Sequence, residues 1–169
     1  MTTTTNEPTQ PDHEPASIAP NPSTTDIMAM EAAHQVLTAT LRPATKAALF
    51  AVLAGAGIAT VTVQFDGAGD SGQIESVDAV DANGAPRDLP STMVTMPRAV
   101  WGDNQPQLRT LPAAEAIETF AYDLLGEVHG GWEINDGAYG SLKFDVGASE
   151  VRLECNVRFT DAEQHLHTF

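Results

Sequence analysis

Apolar and polar residues alternate along two neighbouring stretches near the middle of the chain. Residues 58–65 alternate at a period of two, which predicts a strand with one face in the core. A returning strand is predicted over residues 74–80, although Ile74 and Val77 cannot share a face at that period. We therefore expect a β-bulge near residues 75–76, since one extra residue restores the alternation.

Two further alternating runs follow residue 140 and predict a second hairpin. Residues on opposing strands of an antiparallel pair point the same way, so we place Phe144 opposite Leu153 and Val146 opposite Val151. This register also sets opposite charges across the strands, with Lys143 facing Glu154 and Asp145 facing Arg152.

Helical spacing appears in three other segments. The first begins after Asp26, a predicted N-cap, and Pro43 is expected to end or kink it, so that a second helix covers residues 44–54. A third stripe ends at Gly130-Gly131, with Thr110 as its predicted cap. Thr160 to Glu163 matches a capping box and predicts a short C-terminal helix.

Two segments lack any such pattern. Residues 1–25 are polar and acidic and cannot bury enough apolar surface to fold, so they are predicted to be a disordered tail. Residues 85–110 contain four prolines and predict an irregular excursion with one short strand around residues 93–96. Hairpins separated by helices favour an α+β fold over residues 26–169: a single domain with an antiparallel sheet of two hairpins and helices packed on one face.

The net charge of the chain restricts the classes of partner that it can bind. Eight Lys and Arg against 23 Asp and Glu give a net charge of −15 over 169 residues. Such a field opposes direct binding to nucleic acid and to anionic membranes and favours a basic protein partner. The single Cys155 suits a reducing compartment, no secretory signal is visible, and the apolar run Ala47–Ala59 is too short to span a bilayer. These features predict a cytoplasmic protein.

Two long phrases carry a resemblance to a known family. They are FDGAGDSGQIE, at Phe65–Glu75, and HGGWEINDGAYG, at His129–Gly140. The segments around them, Ala47–Glu75 and Ala116–Phe159, resemble an uncharacterised bacterial domain family common on plasmids and other mobile elements. The resemblance implies that genomic context and transfers no catalytic residue.

The first phrase imitates several known motifs whose other requirements are missing. Gly69-Asp70-Ser71-Gly72 spells the surroundings of a protease serine, but no double barrel with a base precedes it. An EF-hand loop would need a ligand at Ala68 and a bidentate Glu at Val77. A phosphate loop would need a helix N-terminus and usually a Lys.

Two interpretations of the acidic glycine loop stay open. Asp66, Asp70 and Glu75 could supply oxygen ligands for Mg²⁺ or Ca²⁺, since clustered carboxylates are relieved by a cation. Alternatively, the glycines adopt positive φ in a turn that Asp side chains cap.

We expect the two phrases to lie side by side and to form one negative surface. Trp132 and Tyr139 in the second phrase are expected either to plug the end of the core or to join this surface. The predicted surface comprises Asp66, Asp70, Ser71, Glu75, His129, Trp132, Glu133, Asn135, Asp136 and Tyr139.

The sequence leaves two classes of function. The first is a non-enzymatic acidic interaction or regulatory protein that binds a basic protein surface, with a nucleic-acid mimic as one form of it. The second is a divalent-metal-dependent hydrolase that uses the same carboxylates, with His129 as a base or ligand.

Overall fold

The computed structural model of the protein describes residues 23–169, so most of the predicted tail lies outside the described residues. In that part of the chain two helices and seven strands follow one another. They are α1 (Thr24–Gly55), β1 (Thr60–Ala68), β2 (Ser71–Val80), β3 (Pro86–Arg87), β4 (Met93–Arg98), β5 (Gln107–Pro112), α2 (Ala113–Val128), β6 (Ala138–Asp145) and β7 (Glu150–Val157).

The strands form an antiparallel sheet of five and a separate hairpin. The order in the larger sheet is β3-β2-β1-β6-β7, and β4 pairs with β5 alone. Every pairing is antiparallel. The predicted α+β class is therefore confirmed, although the sheet has five strands because β3 adds an edge.

The first hairpin follows its predicted pattern. Val61, Val63 and Phe65 are buried, and the polar residues between them face away from the core. Gln64 pairs with Ser76 while Phe65 pairs with Ile74, so Glu75 is the extra residue. The predicted bulge is confirmed at this position.

The second hairpin has the predicted faces but the wrong partners. Phe144 pairs with Val151 and Leu142 with Leu153, a register shifted by two residues from the prediction. The predicted charge pairs are lost, because Lys143 now faces Arg152 and Asp145 faces Glu150.

The turn between β6 and β7 explains this shift. Val146 leaves the hairpin and donates its backbone N–H to Ala59, next to β1. The Asp145 carboxylate accepts the backbone N–H of Ala148 at 2.9 Å and so closes the turn one residue earlier. Contacts with a third strand and a side-chain cap therefore set the register, and charge pairing does not.

Helix α1 is continuous, in contrast to the predicted pair of helices. Its N-cap is Ser23, and Asp26 is the third helical residue of a capping box, whose carboxylate accepts the Ser23 backbone N–H at 3.0 Å. Pro43 lies inside the helix on an exposed position. The missing N–H is tolerated because both flanks are anchored: Arg42 forms an ion pair with Glu127, and Thr45 donates to the Pro97 carbonyl at 3.1 Å.

The region predicted to be irregular is largely ordered. Residues 85–110 contain β3, β4 and most of β5, and β4 includes the predicted strand around residues 93–96. Thr110 does not cap α2, because it lies within β5 and shares a hydrogen bond of 2.9 Å with the Thr95 hydroxyl across the hairpin. Helix α2 instead starts directly after Pro112 without a side-chain cap.

The C-terminal segment shows no helix. Residues 158–169 lack regular structure, so the predicted capping box is wrong. Thr160 is bound by another partner, since its backbone N–H and its hydroxyl both contact the Asp136 carboxylate, at 2.6 and 2.7 Å.

The core lies between the larger sheet and the helices. Phe144 of β6 is fully buried and meets Phe50 of α1 and Phe120 of α2 in edge-to-face contacts, with ring centroids 6.4 and 6.2 Å apart. The opposite face of this sheet is polar and open to solvent at its centre, as antiparallel sheets allow.

Within the described residues, helix α1 is a candidate membrane span by length and composition. It has 32 residues, and its length and composition alone would let it cross a bilayer, with 22% of its most apolar window buried. A single helix of this kind near the N-terminus is weak evidence, because core helices and signal sequences meet the same criterion.

Candidate functional site

The first phrase forms a tight turn between β1 and β2. Ala68 pairs with Ser71, so Gly69 and Asp70 alone connect the strands. Their φ angles are 62° and 68°, which fits a type I′ turn, the two-residue connection that matches the twist of a hairpin. The interpretation of this loop as a glycine-shaped hairpin connection thus agrees with its backbone.

Trp132 of the second phrase lies against the two glycines that precede and follow this turn. Gly67 and Gly72 are paired across the strands. A Cβ atom would stand 2.7 Å from the Trp132 ring at Gly67 and 2.5 Å from it at Gly72. Any side chain here would displace the indole, so the glycines form a bed for Trp132.

Two more aromatic rings complete the packing of Trp132. Phe65 meets it edge-to-face at a centroid distance of 5.5 Å, and the Tyr122 ring of α2 lies 6.3 Å away. The Tyr122 hydroxyl accepts the backbone N–H of Ile74 at 3.0 Å, beside the bulge. Trp132 is 9% exposed and therefore plugs the end of the core.

The backbones of the two phrases are also joined directly. Gly69 donates its N–H to the Asn135 carbonyl at 2.8 Å. Gly137, with φ at 72°, lies so close that a Cβ would stand 1.8 Å from the Gly67 carbonyl oxygen. The predicted neighbourhood of the phrases is present, and residues 66–75 and 129–140 are called the loop platform below.

Arg158, which the sequence analysis did not select, fixes one side of the platform. Its guanidinium donates two hydrogen bonds to the Asp66 carboxylate, at 3.0 and 2.8 Å, and one to the Gly67 carbonyl at 2.9 Å. It also lies 4.6 Å above the centre of the Tyr139 ring. In the sequence Arg158 looks like one more polar residue of an alternating strand, and only its pairing partner, 92 positions away, reveals its role.

This pair corrects the expectation that Asp66 carries uncompensated charge. The hydrogen bonds from Arg158 hold the pKa of the Asp66 carboxyl group below its usual value. The same bonds raise the pKa of the Arg158 guanidinium. Asp66 is thus ionised and paired, and it contributes to the frame of the platform more than to its free charge.

The other acidic residues of the platform are spread over its surface. Asp70 and Glu75 are exposed, and the Glu75 carboxylate accepts the side-chain amide of Gln73 at 3.0 Å. Glu133 is half-buried, and its Oε2 is buried without a hydrogen-bond partner among residues 23–169. Asp136 is held by Thr160.

The remaining predicted site residues have mixed positions. Ser71 is exposed and donates its hydroxyl to the Ala68 carbonyl at 3.3 Å. Asn135 and Tyr139 are exposed, and Asn135 has a left-handed φ of 58°. His129 follows the last residue of α2 as its C-cap, and its backbone N–H bonds to Leu125 at 2.8 Å.

These positions do not assemble a metal site in the described part of the chain. Across residues 23–169 no group of three or more His, Cys, Asp or Glu side chains is placed to hold a metal ion. Asp66, Asp70 and Glu75 therefore do not converge, because the strand pairing directs Asp66 toward Arg158 and leaves Glu75 at the bulge.

A small hollow opens on the platform beside the indole of Trp132. Its volume is about 280 Å³, and its wall includes Asn135, Asp136, Arg158 and three glycines, Gly130, Gly131 and Gly137. The hollow gives the platform a concave point of the size of one amino-acid side chain.

Fold and site together define a small α+β domain whose antiparallel sheet carries a rigid loop platform in a strongly acidic chain. The sequence profile of the family of unknown function DUF6878 matches residues 41–169. The chain therefore belongs to this family, and both phrases lie inside the matched region. Neither the curated proteins nor the solved structures contain a significant match.

Proposed function

We propose that the protein is a non-enzymatic interaction module whose loop platform binds a basic surface on a partner protein. The observation that carries the proposal is the joining of two acidic loops into one preformed surface, through Trp132 on its glycine bed and the bond from Gly69 to Asn135. A surface that is ordered before binding loses less conformational entropy when a partner docks.

The charge of the platform supports a basic partner. Asp70 and Glu75 are exposed and form no ion pair with a described residue, while Asp66 is already neutralised by Arg158. The field of a chain with net charge −15 steers a basic protein toward the platform and repels nucleic acid. The partner class that fits this chemistry is a protein with a basic site for nucleic acid. The bacterial mobile-element setting that the family resemblance implies is rich in such proteins.

The hollow beside Trp132 offers a place for one anchoring side chain. A Lys or Arg of the partner would insert there and approach the Asp136 carboxylate. Anchors of this kind at the centre of an interface usually carry most of its binding energy.

The proposal is tested by neutralising three platform carboxylates that form no ion pair with a described residue. The triple variant Asp70→Asn/Glu75→Gln/Glu133→Gln removes three charges, and Asn tolerates the φ of 68° at position 70. We expect a partner captured from a bacterial lysate, then purified and identified as basic, to bind this variant at least about tenfold more weakly at low salt.

The matched control is Asp88→Asn/Glu154→Gln/Glu163→Gln, which removes the same net charge at exposed positions outside the platform. It should keep most of the affinity. Equal losses in both variants would mean that net charge alone causes binding, and an undiminished affinity of the platform variant would overturn the proposal.

A further inference from the structure

A second cavity lies beside α2, where Tyr122 both lines the cavity and contacts the loop platform. Its volume is about 880 Å³, and it opens between the middle of α1, the end of β4 with the segment that follows it, and one side of α2. Sites for small organic molecules usually measure about 300–1,000 Å³. Buried Met96 and Phe120 contribute to its apolar wall, and the half-exposed indole of Trp101 stands in the loop after β4.

The lining of this cavity contains three arginines and three carboxylates, those of Glu31, Asp123 and Glu127. Arg42, Arg98 and Arg109 all line it, which is three of the eight Lys and Arg residues in the chain. Arg42 is committed to Glu127, and Arg109 lies 3.3 Å from Glu115. Arg98 is half-buried and forms no ion pair within residues 23–169. A guanidinium in such a position lacks the bidentate partner that Arg usually finds.

His34 adds a second group without a partner. Its Nδ1 atom is buried and has no hydrogen-bond partner among the described residues. The imidazole lies 5.6 Å from the Trp101 ring, at an interplanar angle of 57°. A buried ring nitrogen without a partner costs free energy that a bound molecule would recover.

The acidic residues of the wall limit what the cavity can hold. Asp123 touches solvent, but neighbouring protein atoms remove part of its water. This desolvation raises the pKa of its carboxyl group, although Arg98, His34 and Arg109 act to lower that pKa. Glu31 is engaged by the Gln35 amide at 2.7 Å. The groups left to recognise a ligand are therefore Arg98, the His34 nitrogen and the aromatic surface of Trp101.

We infer that this cavity binds a small organic anion with a flat aromatic group, whose acid group meets Arg98 and whose ring packs beside Trp101 and His34. In a chain of net charge −15, an anion can bind only where arginines supply local positive charge. The cavity shares Tyr122 with the packing of the platform, but Arg98, His34 and Trp101 lie outside the platform, so the inference does not rest on the proposed partner.

The test uses two fluorescent probes that differ by one negative charge. Anilinonaphthalene sulfonate is a flat aromatic anion, and phenylnaphthylamine is its uncharged analogue. We expect the sulfonate to bind the full-length protein with one saturable site, at least about tenfold more tightly than the uncharged probe. Bound probe should also quench the emission of Trp101.

Three variants locate the site. Arg98→Gln should weaken the sulfonate about tenfold and leave the uncharged probe unchanged, while Arg98→Lys should retain part of the preference. Arg152→Gln, an exposed Arg on β7 outside the cavity, should behave as the unmodified protein. Trp101→Leu should weaken both probes and reduce the quenching, because only the emission of Trp132 remains.

Several outcomes would overturn the inference. They are equal affinity for the two probes, binding of many probe molecules without saturation, and equal effects of Arg98→Gln and Arg152→Gln. The platform variant Asp70→Asn/Glu75→Gln/Glu133→Gln should bind the sulfonate normally, so that a failure of the partner proposal and a failure of this one are distinguishable.

Discussion

The loop platform and the cavity are built in opposite ways. The platform arises from two short phrases, each nearly continuous in sequence, and its centre is occupied by a buried Trp132 on a bed of glycines. The cavity draws its wall from three distant segments, and its Trp101 is 48% exposed above an unfilled volume. Trp132 therefore stabilises the platform from a buried position, whereas Trp101 of the cavity remains accessible for contact.

This difference predicts unequal effects of the two tryptophans on stability. Trp132→Ala should lower the free energy of unfolding by about 3–5 kcal/mol, because it empties a packed site. Trp101→Ala should lower it by less than about 1 kcal/mol, since a half-exposed ring loses little burial. Urea unfolding of both variants measures the contrast. Similar losses would show that the cavity wall is as much a part of the core as the platform.

The glycines give a second contrast of intermediate size. Gly137 and Gly57 share a φ of 72°, so Ala causes the same backbone strain at either position. Only at Gly137 would the added Cβ meet another chain segment. Gly137→Ala should cost about 2–3 kcal/mol more than Gly57→Ala, because its Cβ would collide with the Gly67 carbonyl. Thermal melts of the two variants provide the comparison. Equal melting temperatures would contradict the close approach of the two phrases.

The smallest effect on stability is expected from one aspartate in each region, and the direction of this effect differs between the two residues. Hydrogen bonds from Arg158 lower the pKa of Asp66 in the folded state, so its contribution to stability is present above pH about 4 and is lost as the pH falls through the folded-state pKa. Desolvation raises the pKa of Asp123, so ionising it as the pH rises above about 4 reduces stability.

Asp66→Asn should therefore lower the melting temperature at neutral pH, and Asp123→Asn should raise it slightly. The difference for Asp123→Asn should shrink below pH about 4, and the difference for Asp66→Asn should shrink as the pH falls through the lowered folded-state pKa of Asp66. Melting curves over this pH range provide the test. A decrease for Asp123→Asn at neutral pH would show that its attraction to Arg98 outweighs its desolvation.

The features that could be predicted from sequence depend on neighbours in the chain. The alternation of β1, the bulge at Glu75 and the side-by-side placement of the two phrases all follow from local patterns of period and glycine. The register of β6 and β7 was missed by two residues, because the backbone of Ala59 and the Asp145 side chain fix it.

The features that could not be predicted depend on groups brought together by folding. Thr110 resembles a helix cap until Thr95 is seen across the hairpin, and Pro43 resembles a helix end until the contacts of Arg42 and Thr45 are known. Arg158 and Arg42 carry no local signal, since their ion-pair partners lie 92 and 85 positions away.

The link between Gly69 and Asn135 joins one backbone group to another. Such a bond does not depend on the identity of side chains, so exposed positions near it with ordinary backbone angles, such as Ser71 and Glu75, can be exchanged while the frame persists. The platform can thus be treated as an engineering scaffold, on which a small library of surface residues would be displayed in fixed geometry. A new binding specificity would then require changes at the surface alone.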